Sequence, residues 1–310
     1  MSLPRIVSLL PSSTEIVCAL GFRGGLVGRS HECDYPTGLS DLPICTEPKI
    51  KIGGTSAEID RQVKSILEQA LSVYRVHADK LKNLRPDLVV TQSQCEVCAV
   101  SLKDVEKVVC EFLESRPRLV SLEPNSLEDV FKDFSRVANA LDVVKRGEDL
   151  IESSRERMED IAKKTANLAE RPSVACIEWI EPLMGAGNWM PTLVEMAGAK
   201  NLVGRAGEHS PWMKWEELLA LDPETIVVLP CGFSLEKAWQ ELSVLVSKKE
   251  WKDLRAVRAG RVFVTDGHHY FNRPGPRLVE SLEILAEIFH PGIFNFGHEG
   301  RGWRRYAASG

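Results

Sequence analysis

The chain has 310 residues, of which 44% are hydrophobic, with a net charge of -5 and a sequence pI near 5.9. This length suits two domains of ~150 residues each. The basic side chains are scattered, and no apolar run approaches the ~18 residues of a membrane span, which excludes a nucleic-acid partner and a membrane-spanning helix. The first residues lack the basic region, apolar run and cleavage site of an export signal, so we expect a cytoplasmic protein.

The first half of the chain alternates predicted strands with predicted helices, as in a parallel sheet. Ser12–Glu15 has the capping-box pattern that opens a helix, and this helix ends at Gly21. Strands are predicted at the apolar runs 6–10, 26–28, 88–91 and 119–122. Further helices are predicted around 56–73 and 101–114. Residues 1–142 are therefore predicted to form an N-terminal α/β lobe.

Residues 143–169 carry apolar side chains at helical spacing, which predicts one bridging helix of ~25 residues and ~38 Å. Residues 170–290 return to alternation and are predicted to form a C-terminal α/β lobe. Its predicted strands are 173–179, 225–229 and 261–265. Its predicted helices are 191–197 and 275–289. The tail, 291–310, is rich in Gly, Arg and aromatic residues, and either packing on the body or disorder is compatible with that composition.

The two predicted lobes contain repeated segments. Ala19–Arg29 resembles Met196–Arg205, and Asp79–Thr91 resembles Glu216–Val228, in the same order along each half. The second pair predicts a short helix, a turn with Pro and an acidic residue, and a buried strand. The predicted fold is therefore α/β, with two similar lobes of parallel sheets and flanking helices, bridged by one long helix, and a ligand cleft between the lobes.

Polar and aromatic residues follow the predicted strands, where open parallel sheets bind their ligands. Aromatic side chains around the glycines of Met184–Asn188 indicate a flat wall for a large planar ligand, although each could equally anchor its own loop. The predicted ligand-binding residues are Pro11, Ser12, His31, Glu32, Asp34, Tyr35, Gln92, Glu178, Trp179, Asn188, Trp189, Phe233, Tyr270 and Phe271.

Cysteines also occur in these segments, together with histidines. Thiolate and imidazole groups are ligands of zinc, iron and cobalt, and the C-x-x-C motif brings two sulfurs within chelating reach. The candidate metal ligands are Cys33, Cys95, Cys98 and Cys231, with His31 as a further donor. A redox pair and space-filling thiols are the alternatives for these cysteines. Cys18, Cys110 and Cys176 fall within predicted helices or a strand and are interpreted as core residues.

Catalytic motifs are missing from the sequence. It contains no G-x-S-x-G elbow, no P-loop and no Rossmann glycine spacing. Glu178 and Glu181 are paired carboxylates, but the sequence identifies no partner for acid–base chemistry. No motif in the sequence therefore requires the protein to catalyse a reaction.

The two-lobed layout and four segments resemble the helical-backbone periplasmic binding proteins that serve cobalamin, siderophore and haem importers. These segments are Ile6–Glu15, Leu84–Val90, Gly187–Gly198 and Ala259–Phe263. Four others are similar to a signal-less subset of the cobalamin-binding branch: His31–Pro36, Cys95–Ser101, Pro230–Phe233 and Tyr270–Arg277. The resemblance implies that Asp79 and Glu216 correspond to acidic residues that meet arginines of a membrane permease.

The leading hypothesis is a cytoplasmic protein that binds a corrinoid, such as cobalamin, or another metal-bearing small molecule between its lobes. One alternative is a metalloprotein in which His31, Cys33, Cys95 and Cys98 hold zinc or an iron–sulfur centre for catalysis or sensing. The other alternative is the substrate-binding component of an ABC importer, with an ABC permease as its partner and an export signal that the sequence does not show.

Overall fold

The computed structural model describes residues 3–51, 53–68, 73–93, 105–106 and 116–307. These residues form two units. The first comprises the described residues up to Ser153 except 55–57 and 125–127, and the second comprises those two short segments and the chain from Ser154 onward. The division falls inside the long helix that the sequence predicted.

The first unit is built on a fully parallel sheet in the order β2-β1-β5-β6, with β3 and β4 forming a separate antiparallel pair. The strands up to residue 122 are β1 (Ile6–Ser8), β2 (Leu26–Arg29), β3 (Thr46–Pro48), β4 (Tyr74–Val76), β5 (Leu88–Gln92) and β6 (Arg118–Leu122). The helices up to residue 166 are α1 (Pro11–Ala19), α2 (Ser56–Leu67), α3 (Ala78–Leu84), α4 (Leu127–Ala140) and α5 (Val144–Ala166). The predicted helix around 101–114 lies mostly outside the described residues.

The second unit has a mixed sheet in the order β12-β11-β10-β7-β8, with β9 also paired to β7. Its strands are β7 (Ser173–Trp179), β8 (Met184–Gly185), β9 (Lys200–Asn201), β10 (Thr225–Val228), β11 (Val262–Thr265) and β12 (Trp303–Tyr306). Its helices are α6 (Met190–Met196), α7 (Trp215–Leu221), α8 (Leu235–Val246), α9 (Arg255–Arg258) and α10 (Leu278–Phe289). The predicted α/β fold with two lobes, parallel strands and a long bridging helix is confirmed.

The predicted capping box at Ser12–Glu15 is wrong. A capping box would place the N-cap at Ser12, whereas the N-cap is Leu10, two residues earlier, and no side chain caps the helix. Proline suits the first helical position because its fixed φ matches the helix and its missing N–H would have no intrahelical partner. Ser12 consequently lies inside the first turn, where its side chain is buried. The predicted end of the helix at Gly21 is confirmed by the positive φ of that residue, 87°.

The predicted duplication appears as the same local structure in both units. Helices α3 and α7 are each followed by a residue with left-handed backbone angles. These residues are Arg85, with a φ of 44°, and Asp222, with a φ of 38°. The acidic residue after the following proline then accepts a backbone hydrogen bond from the start of the first strand of its own unit. Asp87 accepts from Arg5 N at 2.7 Å, and Glu224 accepts from Ser173 N at 2.7 Å. Each module is therefore fixed to its sheet in the same way.

The C-terminal tail packs on the second unit, which decides the question that the sequence left open. Strand β12 pairs antiparallel with β11, and Trp303 is buried. The carboxylate of Glu287, on α10, accepts backbone hydrogen bonds from Phe296, Gly297 and His298 and a side-chain bond from Trp303 Nε1 at 2.8 Å. These bonds fix the turn that leads from α10 into β12.

No helix among the described residues could span a membrane. Each helix there is too short or too polar to cross a bilayer.

Candidate functional site

Buried polar atoms without hydrogen-bond partners gather at the carboxyl end of the first unit's sheet. Thr91 and Ser121 are register partners near the ends of β5 and β6. Ser12 lies just after β1, and His31 just after β2. In these four residues, the buried atoms without a hydrogen-bond partner among the described residues are Ser12 Oγ, His31 Nε2, Thr91 Oγ1 and Ser121 Oγ. An unpaired buried polar group costs about 1–3 kcal/mol, so a group of them indicates a place where ligand atoms complete the hydrogen bonding.

The imidazole of His31 is held by residues that follow β2 and begin β3. His31 Nδ1 lies 2.8 Å from Thr46 Oγ1, which also accepts a bond from the His31 backbone N–H at 3.1 Å. The Thr46 hydroxyl donates to Ser30 Oγ at 3.1 Å. The ring of Tyr74 lies 5.3 Å from the imidazole, and the Tyr74 hydroxyl donates to Glu32 Oε1 at 3.3 Å. These contacts fix both the position and the orientation of the imidazole.

The pKa of His31 is lowered from 6.5 to about 4, and burial is the largest cause. The positive charge of Arg29 also lowers this pKa, and the carboxylate of Glu47 raises it. The imidazole is therefore neutral at physiological pH, with one nitrogen protonated and the other carrying a lone pair.

This shift predicts a pH effect on stability that His31→Asn reduces. The folded-state pKa lies below the unfolded value, so the stability that neutral His31 contributes is complete above about pH 6.5 and is lost as the pH falls towards 4. Urea unfolding at pH 7 and pH 5 is expected to show a smaller loss of unfolding free energy on acidification for His31→Asn than for the wild type. Equal losses in both proteins, or an imidazole NMR signal that titrates near pH 6.5, would contradict this assignment.

The other residues predicted for the first unit differ in exposure. Gln92 ends β5 and is buried, and Pro11 is partly buried at the start of α1. Asp34 and Tyr35 are exposed in the loop that follows His31. Pro11 and Gln92 are thus the sequence neighbours of Ser12 and Thr91, which carry unpaired atoms at the sheet edge. Their roles in binding stay predictions.

In the second unit, Trp179 ends β7 at the carboxyl edge of the sheet. Its ring lies 5.3 Å from that of Phe233, and its indole nitrogen is buried without a partner among the described residues. Lys237 Nζ lies 3.9 Å from the centre of the Phe233 ring. Burial lowers the pKa of Lys237, and the charge of Glu241 opposes that effect. The group offers an aromatic face and an unused N–H donor.

Glu178 is fixed by a chain of hydrogen bonds next to Trp179. Ser210 Oγ donates to Glu178 Oε2 at 2.9 Å and accepts from the backbone N–H of Gly187 at 3.0 Å. Asn188 follows in the same turn, with a positive φ of 52°. Ser210, which carried no signal in the sequence, thus links Glu178 to Gly187, the residue before Asn188.

The remaining predicted aromatic residues are mostly buried. Trp189 and Phe271 are joined by a hydrogen bond of 2.9 Å from the indole N–H to the Phe271 carbonyl oxygen. Phe233 is also buried, at 2% exposure. Tyr270 is partly buried, 6.1 Å from the ring of His298 in the tail. The predicted wall is consequently packed within the unit, and Trp179 is the member with an exposed part and an unused polar atom.

Two histidines follow β11 in a single π-helical turn, Gly267–Phe271. His269 Nδ1 pairs with Asp266 Oδ2 at 2.7 Å. Arg273, whose guanidinium can only donate, bonds His268 Nε2 at 2.8 Å, so that nitrogen acts as the acceptor. Both rings are therefore oriented by residues just before and just after this turn.

The cysteine hypothesis is tested only in part. Cys176 is fully buried in β7, where burial raises the pKa of its thiol to about 12, so its core assignment is confirmed. Cys33 is buried and accepts a hydrogen bond from Thr14 Oγ1 at 3.0 Å, and Cys231 is partly exposed. Cys95, Cys98 and Cys110 lie outside the described residues. Zinc, iron–sulfur and redox roles for the cysteines stay predictions.

Asp79 and Glu216 occupy the same place in the repeated module. Each is the second residue of its short helix, α3 or α7, and each is exposed. Acidic side chains are favourable there because the helix dipole is positive at its N-terminus. Among the described residues, neither carboxylate has a hydrogen-bond or ion-pair partner.

Several residues that shape these sites were missed in the sequence. Thr46, Tyr74 and Ser210 belong to no motif and lie far along the chain from the residues they contact, and Lys237 belongs to no motif although it follows Phe233 by only four residues. Thr91 could have been found, because a hydroxyl at the end of a buried parallel strand is positioned for ligand contact.

Comparison with known proteins extends this description. Residues 6–268 match the sequence profile of the family described as periplasmic binding protein. The uncharacterized ABC transporter substrate-binding lipoprotein YvrC of Bacillus subtilis is 24% identical over 299 residues, covering 94% of this chain and 81% of YvrC. A vitamin B12-binding protein of Vibrio vulnificus is 20% identical over 287 residues, covering 92% of this chain and 89% of the relative. A periplasmic heme-binding protein from Pseudomonas aeruginosa shares the fold, with a TM-score of 0.69 and 23% identity, covering 93% of this chain and 94% of that one.

Two α/β units, each with polar and aromatic side chains at the carboxyl ends of parallel strands, define a two-lobed protein of the ligand-binding class. The chain belongs to the periplasmic binding protein family. This confirms the family that the sequence motifs indicated.

Proposed function

We propose that this chain is the substrate-binding component of an ABC importer, and that its cargo is a corrinoid or haem, a planar ring that carries a metal. Family membership, the name of YvrC and the ligand named for the Vibrio relative support this proposal over the cytoplasmic binding protein that led the sequence hypotheses. The enclosure of the cargo in a cleft between the lobes stays a prediction.

The observation that carries the transport role is the equivalent placement of Asp79 and Glu216. Both are exposed, lack partners among the described residues and stand at the start of matching helices. A surface carboxylate without a local partner is available to a basic side chain of another protein. We infer that each contacts basic side chains of the permease.

The polar and aromatic groups at the sheet edges suit a large ring with polar substituents. The ring of Trp179, beside Phe233, provides an apolar face, and its indole N–H is an unused donor. The hydroxyls of Ser12 and Thr91 are further unpaired groups that can bond amide or carboxylate substituents. Corrinoids carry amides and haem carries carboxylates, so both fit this chemistry.

The proposal is tested first by binding and then by uptake. Native mass spectrometry of the purified chain with aquocobalamin, cobinamide or haem is expected to show a one-to-one complex with at least one of these rings. The ring that binds is then supplied, radiolabelled, to native host cells that lack the chromosomal copy. The Asp79→Lys/Glu216→Lys double variant is expected to bind the ring as the wild type does, but to lower uptake at least about tenfold, because like charges at an interface cost several kcal/mol.

The matched control is the Glu152→Lys/Glu156→Lys double variant, which makes the same charge change at exposed positions of α5. It is expected to support uptake at the wild-type rate. Failure to bind any of the three rings contradicts the cargo, and normal uptake by the Asp79→Lys/Glu216→Lys variant contradicts the docking role.

An importer component acts outside the cytoplasm, so the proposal and the predicted cytoplasmic placement exclude each other. Fractionation of native cells with an antibody to this chain decides between them. A pool confined to the soluble cytoplasmic fraction would favour the original hypothesis of a cytoplasmic corrinoid-binding protein.

A further inference from the structure

The imidazole of His31 combines a fixed ring with an unused nitrogen. Its Nε2 atom is buried and has no partner among the described residues, while Nδ1 is bonded to Thr46 Oγ1 at 2.8 Å. Ser12, Thr91 and Ser121, which also have unpaired atoms, carry hydroxyls that can both donate and accept. An imidazole nitrogen that lacks a proton can only accept a hydrogen bond or bind a metal.

The hydrogen bonds around Thr46 assign the proton of the imidazole. The Thr46 hydroxyl uses its single proton in the bond to Ser30 Oγ at 3.1 Å. Thr46 Oγ1 must therefore act as acceptor towards His31 Nδ1, so Nδ1 carries the proton and Nε2 carries the lone pair.

This arrangement matches that of histidines that bind metals. Such residues commonly donate one ring N–H to a protein oxygen, which fixes the ring and its tautomer, and bind the metal through the other nitrogen. Tyr74 adds a second constraint, because its ring lies 5.3 Å from the imidazole. The ring is thus oriented in advance of any ligand.

We propose that His31 Nε2 binds the metal at the centre of the cargo as an axial ligand. This inference rests on the proposed function, because the metal enters with the ring. Imidazole nitrogen suits both the iron of haem and the cobalt of a corrinoid, since it is a common ligand of haem iron and a good donor for divalent first-row metals. Thr46 is then a positioning residue that selects the tautomer with a free Nε2 lone pair.

The test uses cob(II)inamide, a corrinoid without the nucleotide base that serves cobalamin as a lower ligand. Its Co(II) signal in electron paramagnetic resonance acquires a nitrogen triplet splitting only when a nitrogen binds on the axis, so in a buffer without imidazole or amines that nitrogen must come from the protein. The wild type is expected to show the triplet. His31→Gln is expected to lose it, and His31→Gly with added free imidazole is expected to recover it.

Two variants separate ligation from general damage to the fold. His77→Gln changes another histidine of the first unit, whose side chain is 26% exposed, and is expected to leave the triplet unchanged. Thr46→Val keeps the shape of the side chain but removes the acceptor of Nδ1, and is expected to weaken cobinamide affinity about tenfold or more and to change the triplet. If haem is the ring that binds, the same variants are read through the Soret band and the electron paramagnetic resonance spectrum of the haem iron, which change with its axial ligand.

The outcomes distinguish this inference from the proposed function. If a ring binds but its metal shows no protein nitrogen, or if His31→Gln leaves the nitrogen signal intact, the axial role of His31 is overturned while the importer proposal stands. A lone hydrogen bond from the ring to Nε2 would give the first of these results. If none of the three rings binds to the wild type, the proposed cargo and the axial role of His31 are both overturned.

Discussion

Replacing Glu287 with alanine is expected to destabilise the second unit by about 3 kcal/mol, because it removes the acceptor of several hydrogen bonds that fix the tail. The Glu287 carboxylate is 4% exposed and bonds Gly297 N at 2.6 Å and Trp303 Nε1 at 2.8 Å, in addition to the amides of Phe296 and His298. Without it the indole N–H of Trp303 is left buried and unpaired. Urea unfolding and hydrogen exchange of residues 296–306 measure the effect.

The matched control for this change is Glu236→Ala. Glu236 also contacts the tail, through an ion pair of 3.1 Å with Arg304, but its side chain is 67% exposed. An exposed pair of this kind contributes at most about 1 kcal/mol. Glu236→Ala should therefore leave amide protection of residues 296–306 nearly unchanged. Retention of the wild-type unfolding midpoint and amide protection in Glu287→Ala would show that the carboxylate does not hold the tail.

Gly204→Ala is expected to cost about 3 kcal/mol or more, since it adds a steric clash to backbone strain. Gly204 has a positive φ of 73°, and a Cβ there would lie 2.0 Å from the carbonyl oxygen of Ala186. That oxygen belongs to backbone next to Gly187, whose amide bonds Ser210 and through it Glu178. The variant should therefore also weaken ring binding by displacing this loop.

Gly207→Ala isolates the strain from the clash. Gly207 has a similar φ of 81°, but the nearest described atom to an added Cβ is 4.0 Å away. Its expected cost is about 1 kcal/mol, from the left-handed backbone alone. Denaturant unfolding of the two variants side by side should show the larger loss for Gly204→Ala. Equal losses would mean that the loop adjusts to remove the clash.

Much of the fold could be predicted because its signals are local. The strand Ser173–Trp179 contains the apolar run Val174–Ile177 and is observed with the predicted bounds. The long helix was predicted from apolar spacing and is observed as Val144–Ala166. The start of α1 was misassigned because two local signals competed, and proline at the first helical position prevailed over the serine that followed it.

The candidate site could be predicted only in outline. His31 and Trp179 were identified because they follow or end strands, where ligands of parallel sheets lie. Their partners could not be identified, since Thr46 and Phe233 come close to them only after the chain has folded. The sequence also did not reveal which side chains are buried. The residues around Phe271 indicate a loop, but its side chain is completely buried in the structure.

Strand β12 also closes the outer edge of the second unit's sheet. Without it, the backbone of β11 would be an unpaired edge, and its residues Val262–Val264 are apolar. Such an edge recruits strands from other molecules and leads to aggregation, whereas the two arginines of β12 make the present edge charged and less prone to such pairing. Truncation before Trp303 should consequently reveal itself as self-association of a protein that is still folded.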